Sequence, residues 1–205
     1  ATTVPIIELI AIGAKPISVT DTLGVEMHSA GEAIITGVHK AMLEGEINPL
    51  CLTGSTEDNI PTTTTTVGIT VIAELNKTLL ETYTPKVGEY VYVIGLPKMG
   101  ARFLEEEIRA NKGEVMTIET AMNVRNHGSI GHMLPVGSKG VGFELEILLD
   151  MYQLGIRWVE EVCFDLKASA GPAGCMIVTC SDEGAQFLKS KMKQPITYLG
   201  EINKR

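Results

Sequence analysis

Aromatic side chains are scarce, at 5% of 205 residues with a single Trp. Basic residues are scarce in the first part of the chain. Up to Thr84 there are only Lys15, Lys40 and Lys77, with no Arg, against ten carboxylates, a balance of −7; the remainder holds fourteen basic and fifteen acidic residues, for a total of −8. Phosphate backbones are gripped by clustered Lys and Arg, so this balance argues against a nucleic-acid partner. No run of about 18 uncharged apolar residues occurs, so no membrane-spanning segment is expected. A basic-then-apolar leader with a small-residue cleavage site is also missing. Only four cysteines occur, Cys51, Cys163, Cys175 and Cys180, and the nearest pair is CxxxxC. That spacing gives no zinc pattern. Each lies among apolar residues, which predicts reduced, buried thiols and a cytoplasmic protein without disulfides. The first residue is Ala1 rather than Met, directly ahead of an apolar pattern, and the chain is expected to be cut from a longer one.

What is present is an ordinary globular composition, 44% hydrophobic and 20% charged. It suffices for one large domain or two of about 100 residues. Val4 to Ile12 is apolar at nearly every position and stops at Gly13, a helix ending at a Gly cap with Pro16 beyond. Ile17 to Leu23 alternates as a strand does. Ala30 to Leu43 repeats its apolar residues at helical spacing. Pro49 to Leu52 reads as a short strand running into a turn at Thr53-Gly54-Ser55-Thr56. Thr62 to Ala73, rich in Thr and Val, reads as one long strand. Asn76 to Lys86 has no strong period and contains Pro85, which places a domain boundary there, giving modules 1–84 and 85–205.

The second module opens with a strand at Tyr90 to Ile94, a loop at 95–100 and a helix from Ala101 to Asn111. Glu114 to Thr120 is strand or linker. Asn126 to Gly142, with five glycines, is a loop-rich region, the commonest place for binding chemistry. A helix over Glu144 to Leu154 capped by Gly155 follows. Strand candidates are Trp158 to Leu166, Ala173 to Thr179 and Pro195 to Leu199, with a helix at Asp182 to Lys193 whose capping signal at Ser181 is half present. Alternating strands and helices predict an α/β or α+β fold.

The candidate chemistry lies in loops and isolated acids. Thr53-Gly54-Ser55-Thr56-Glu57-Asp58 offers small residues for close anion approach, hydroxyl donors and two carboxylates for a hydrated magnesium ion; a polar surface turn is the alternative. Asp21 ends an apolar strand and Glu8 lies on an apolar helix. Such acids are costly to bury unless paired or metal-bound, and otherwise reach solvent at an edge. His127 and His132 are a candidate base or substrate contact, or simply solvated. Lys139 between glycines reaches an anionic group or stands exposed. Ser169-Ala170-Gly171-Pro172-Ala173-Gly174 lines a ligand or forms a plain tight loop. Neither glycine cluster around His132 or Lys139 has P-loop spacing, and HExxH, GxSxG, Rossmann and kinase signatures are absent.

Together these segments resemble the superfamily of aminoimidazole-ribonucleotide synthetase, selenophosphate synthetase and thiamine-monophosphate kinase. Ile7-Glu8-Leu9-Ile10-Ala11-Ile12-Gly13-Ala14-Lys15-Pro16 is similar to its Asn-Asp-x-Ala-x-Met-Gly-Ala-x-Pro helix. Leu52-Thr53-Gly54-Ser55-Thr56 resembles its Gly-Gly-acid-Thr turn, and His132 to Leu148 the segment carrying Asp-x-Ser-x-Gly-Gly-Leu. Val25-Glu26-Met27, Leu52-Thr53-Gly54-Ser55-Thr56-Glu57-Asp58-Asn59 and Pro135-Val136-Gly137-Ser138-Lys139-Gly140 look most like the synthetase-related branch that includes α-ribazole kinase. The departures are Glu8 for the leading Asp, Ser55 for the turn acid, Val136 for the second Asp, and no Gly-rich leader before Ala1.

The resemblance implies a two-module fold, an N-terminal dimerising sheet module with a C-terminal α/β module, working as a homodimer. It implies an ATP- and magnesium-dependent phosphotransferase or synthetase acting on a small ribosyl or heteroaromatic metabolite. Asp21 is then the catalytic acid. Gly54, Ser55 and Thr56 bind nucleotide; Glu8, Asp21, Glu57 and Asp58 hold metal; His132, Lys139, Ser169 and Gly171 face the substrate. Such transfer depends on positioning and charge neutralisation. The alternative is a non-catalytic paralogue or fragment that binds a metabolite or protein partner, which the loss of acids at Ser55 and Val136 favours.

Overall fold

The computed structural model describes residues 1–57 and 59–205. The first helix, α1 (Thr3–Ala11), buries Ile6, Ile7, Ile10 and Ala11. It stops where Gly13 takes φ 78°, and a Cβ there would meet the Tyr83 ring at 2.5 Å, so only glycine fits the turn. The strand β1 (Lys15–Gly24) follows, with Val19, Asp21 and Leu23 turned inward. A π-type turn over Met27–Gly31 leads into α2 (Glu32–Glu44), which buries Val38, Ala41 and Met42.

The next segment differs from expectation. Pro49–Cys51 is a single 3-10 turn, capped by Asn48, whose side chain accepts the Leu50 N–H at 3.0 Å. The expected turn at Thr53–Thr56 is instead the strand β2 (Leu52–Thr56). Read alone, Thr-Gly-Ser-Thr is turn chemistry; pairing in parallel with residues Val19 to Leu23 draws it into the sheet. The Thr-rich run becomes β3 only from Thr66 (Thr66–Glu74), antiparallel to β1. The expected featureless stretch contains the short helix α3 (Lys77–Thr82), capped by Asn76.

A second sheet begins with β4 (Tyr90–Gly95). The helix α4 (Gly100–Phe103) continues as π-type turns to Arg109. Glu114 to Thr120 is neither strand nor linker throughout, because α5 (Ile118–Arg125) starts inside it, capped by Thr117. The loop-rich reading of 126–142 is corrected as well: it contains β5 (Ile130–Pro135). Gly131 serves close approach, since a Cβ there would come 2.6 Å from Thr179 Oγ1. Then come α6 (Gly140–Met151) and β6 (Leu154–Trp158); Gly155 lies inside that strand rather than capping the helix, and the chain turns at Gln153 with φ 54°. The elements β7 (Cys175–Cys180), α7 (Asp182–Lys191) and β8 (Ile196–Lys204) complete the chain, with Ser181 Oγ accepting the Gly184 N–H at 3.4 Å.

The fold is mixed α/β of the α+β kind. One sheet has the order β2-β1-β3; the other, β5-β7-β4-β8-β6, is antiparallel throughout. The second sheet is covered on both faces. Tyr92 and Ile94 point to a cluster shared with α1, α2, α5 and α7, whereas Val91 and Val93 point to a cluster with Val141, Leu145 and Leu148 of α6. Alternate residues of one strand thus serve two cores, each fully buried side chain contributing about 1.5–3 kcal/mol. Among the described residues, no helix is long and apolar enough to cross a membrane.

The four cysteines are free. Cys175 and Cys180 are buried in β7, and burial pushes both thiols up to about 12. Cys51 and Cys163 are exposed, contrary to expectation, because one sits in the 3-10 turn and the other in the irregular segment after Trp158.

Candidate functional site

The conformation of β1 decides what Asp21 does. Along a strand, successive side chains face opposite sides, so Thr22 points outward and Asp21 inward. Asp21 is 2% exposed, and among the described residues no side chain donates a hydrogen bond to it. Burial holds its carboxyl above the ordinary value; its own backbone N–H works weakly against that. Gly54 lies directly opposite on β2, and a Cβ there would meet Asp21 Oδ2 at 2.2 Å. Gly54 therefore makes room for this carboxylate, which is not the anion-approach role expected of it in a turn. A depression of about 460 Å³ adjoins the acid, lined by Met27, Ile35 and Leu52 together with Gly54, Ser55 and Thr56. Asp21, Gly54, Ser55 and Thr56 are thus brought together.

Glu57 falls on the other side. It lines a separate depression with Thr22, Gly24, Thr66 and Gly68, while Ser55 and Thr56 border both. Its backbone N–H donates to Leu23 O at 3.0 Å, and its Oε1 accepts the Asn59 N–H at 2.7 Å. Asp58 lies outside the described residues.

Glu8 is in a third place. It projects from α1 into a cavity of about 390 Å³ that it shares with His132, Glu144 and Gly171. Glu8, Asp21 and Glu57 therefore do not gather round one ion, which corrects the four-acid metal set expected from sequence. Among the described residues, the one cluster of three carboxylates with oxygens within 4.8 Å is Glu106, Glu107 and Glu114. It encloses the Lys98 ammonium, 2.7 Å from Glu106 and 2.6 Å from Glu107 and also bonded to Glu114. The Lys98 side chain is fully buried, and these three acids hold it protonated against the burial.

Of the substrate-facing residues, His132 and Gly171 meet in the Glu8 cavity. Lys139 lies 4.1 Å over the Phe143 ring at the start of α6, and Ser169 Oγ accepts the Gly171 N–H at 3.2 Å, so both act on their own loops and neither lines that cavity. His132 Nδ1 is 2.9 Å from Tyr83 O. A carbonyl only accepts, so Nδ1 carries the proton; burial lowers the ring's pKa, leaving Nε2 bare. Val136, where the resemblance places an acid, is 1% exposed in the α6 core.

Two side chains that the sequence did not single out complete the picture. Arg125 joins the halves: its guanidinium donates to Ala11 O at 3.1 Å and to Ile130 O and Gly131 O at 2.9 Å, and stacks 3.5 Å over Tyr83. Glu144 faces the Glu8 cavity. Its signal was available, because it falls within the helical stripe of Val141, Leu145 and Leu148, where an acid is out of place.

Comparison with known proteins gives a fold and no closer kinship. No protein-family model matches the chain, and no curated protein matches it in sequence. Solved structures do. The hydrogenase maturation protein HypE of E. coli superposes with a TM-score of 0.72 at 13% identity, over 100% of this chain and 73% of that one. Thiamine-monophosphate kinase from Stenotrophomonas maltophilia K279a gives 0.66 at 13% identity, over 98% of this chain and 73% of that one. T. maritima PurL complexed with ATP gives 0.59 at 17% identity, over 98% and 36%. These proteins share the aminoimidazole-ribonucleotide synthetase-like fold, and the chain has that fold, as its motifs led us to expect.

Proposed function

We propose that the chain belongs to an ATP- and magnesium-dependent phosphotransferase or synthetase acting on a small ribosyl or heteroaromatic metabolite. The observation that carries this reading is the buried carboxylate of Asp21, which lacks a counter-charge and sits beside the small hydroxyl-bearing residues of β2. A buried anion of this kind is stable only when neutralised, by a proton or a cation. Magnesium is commonly held by one or two carboxylates plus the substrate's phosphates, and Asp21 fits that donor set. Ser55 and Thr56 then supply hydroxyl donors to phosphate oxygens, with Glu57 on the far side of the same strand end. When bound, magnesium supplies neutralisation of the phosphate charge. The complex of T. maritima PurL, a protein of the same fold, with ATP supports the nucleotide.

The finer assignment, α-ribazole kinase, rests on the motifs around Met27, Ser55 and Lys139. We further propose a cytoplasmic homodimer with modules 1–84 and 85–205. Among the described residues the edge strand β3 pairs only with β1 and leaves Val67 and Ile72 exposed, and unpaired edges of this length call for a cover. A specific observation favours a second reading, a non-catalytic relative that binds a metabolite or partner: Ser55 and the core residue Val136 replace acids, and Glu8 stands apart from Asp21.

Calorimetric titration with a non-hydrolysable ATP analogue and Mg²⁺ separates the two, run on this chain, on one extended upstream, and on Asp21→Asn forms of both. Binding that Asp21→Asn abolishes supports the phosphotransferase. Binding by neither wild-type chain, or equal binding by the Asn forms, overturns it. A thermal-shift screen of nucleosides, thiamine precursors and α-ribazole then addresses the acceptor.

A further inference from the structure

The cavity between α1 and the β5–α6 segment has an unusual complement of polar side chains. Three reach its lining, Glu8, His132 and Glu144, and the remaining side chains there are apolar, among them Val4, Ile12 and Met133. All three polar groups are hydrogen-bond acceptors. Neither carboxylate takes part in an ion pair or hydrogen bond with the described residues. His132 spends its one proton on Tyr83 O and keeps a bare Nε2. The Gly171 N–H, a donor at the rim, is already taken by Ser169 Oγ. No Lys, Arg, hydroxyl or amide side chain lines the cavity. Gly137 leaves room for Glu144: a Cβ there would come 3.1 Å from its Oε1.

We propose that this cavity binds an organic cation, a small ring compound carrying a protonated amine or a positively charged ring nitrogen and no phosphate. The argument is one of complementarity. Ligand sites are mostly apolar with a few convergent polar groups that fix orientation, and about 390 Å³ suits a molecule of one or two rings. A set consisting only of acceptors, two of them carboxylates, is satisfied by a donor-rich cation and leaves an anion with no donor to answer it. The cavity walls add an apolar surface for the ring. The inference is independent of the phosphotransferase reading, since this cavity and the Asp21 depression share no lining residue, and it is tested without nucleotide so that the two can fail separately.

The test uses benzylamine, benzyl alcohol and benzoate, three probes of one shape and different charge, titrated at pH 7.5 into the full chain and followed by NMR on the methyl groups of Val4 and Met133 and the His132 ring. Benzylamine is expected to shift these signals, with benzyl alcohol about tenfold weaker and benzoate silent, the ratio that loss of a charge-assisted hydrogen bond gives. The double variant Glu8→Gln, Glu144→Gln should bring benzylamine down to the level of benzyl alcohol. Both positions are exposed or half-buried, so the fold should survive, as the unchanged spectrum elsewhere will show. Asp21→Asn, which removes the proposed nucleotide acid, should leave benzylamine binding unaltered. Benzoate binding as well as benzylamine, silence of all three probes, or an unchanged affinity in the double variant would each overturn the proposal. So would exclusion of benzylamine by Mg²⁺ alone, which would make the pair of carboxylates a metal site.

Discussion

Substitution of Gly54 by Ala isolates the geometry on which the proposed nucleotide site depends. Gly54 has an ordinary strand conformation, so its backbone accepts Ala without strain. The difficulty is space. The added Cβ would lie 2.2 Å from Asp21 Oδ2, 2.4 Å from Cγ and 2.5 Å from Oδ1, and the carboxylate must rotate out of a buried position to clear it. Overpacking of this kind costs about 1–3 kcal/mol. Against it stands the gain of about 0.5–1 kcal/mol from removing a strand glycine. The net expectation is a loss of about 1–2 kcal/mol by urea unfolding at pH 7, with an unchanged slope. In an Asp21→Ala background no carboxylate remains to collide with, and the same substitution should be neutral or mildly stabilising. The coupling between the two sites, about 1–3 kcal/mol, is what the cycle measures. A cost that is the same in both backgrounds, or one that vanishes in the wild type, would refute the claim that Gly54 exists to seat Asp21.

Because burial raises the Asp21 pKa, its charged form is disfavoured in the folded state, and stability is lost as pH rises from below 3.8 through the raised value. Asp21→Asn should therefore melt higher than wild type at pH 7 without nucleotide, and the advantage should fade in acid; scanning calorimetry across pH checks this. Glu106 behaves oppositely. The Lys98 ammonium, Lys112 and Arg102 hold its carboxyl down at about 2, so its contribution is present above about 4.5 and is lost as pH falls through 2. Removing the buried ammonium with Lys98→Met should cost about 3–5 kcal/mol in urea at pH 7, whereas a loss under 1 kcal/mol would deny the cluster its role. Light scattering should give a dimer that Ile72→Lys, at a position 55% exposed on β3, converts toward monomer; a wild-type monomer at all concentrations would count against the covered edge.

Elements with a strong period could be read directly from the sequence. The apolar run of α1, the alternation of β1 and the stripe of α2 each locate their element within a few residues, because burial on one face imposes the pattern. The failures have a common cause. The strand character of Thr53–Thr56 comes from its partner β1 and the start of β5 from β7, so neither is written in its own local pattern, whereas the short helix at Lys77–Thr82 was announced only by its Asn76 cap. The site was legible residue by residue and not as an assembly. Asp21 could be named from an acid in an apolar strand, and Glu8 from an acid in an apolar helix. That they open into different depressions depends on which way each element turns, and although Glu144 could be named as an acid in an apolar stripe, its meeting with Glu8 in one cavity is a matter of tertiary packing.

Arg125 and Lys98 are both buried cations, but they are neutralised in different currencies. Lys98 depends on three carboxylates, each of which can take up a proton; Arg125 is held by three carbonyl oxygens and an aromatic face, none of which titrates in acid. Acidification therefore loosens the segment from Lys98 to Glu114 first, while the end of α1 stays fastened to β5. The protein carries one clasp that acid undoes and another that acid does not reach, which sets the order in which its parts come away.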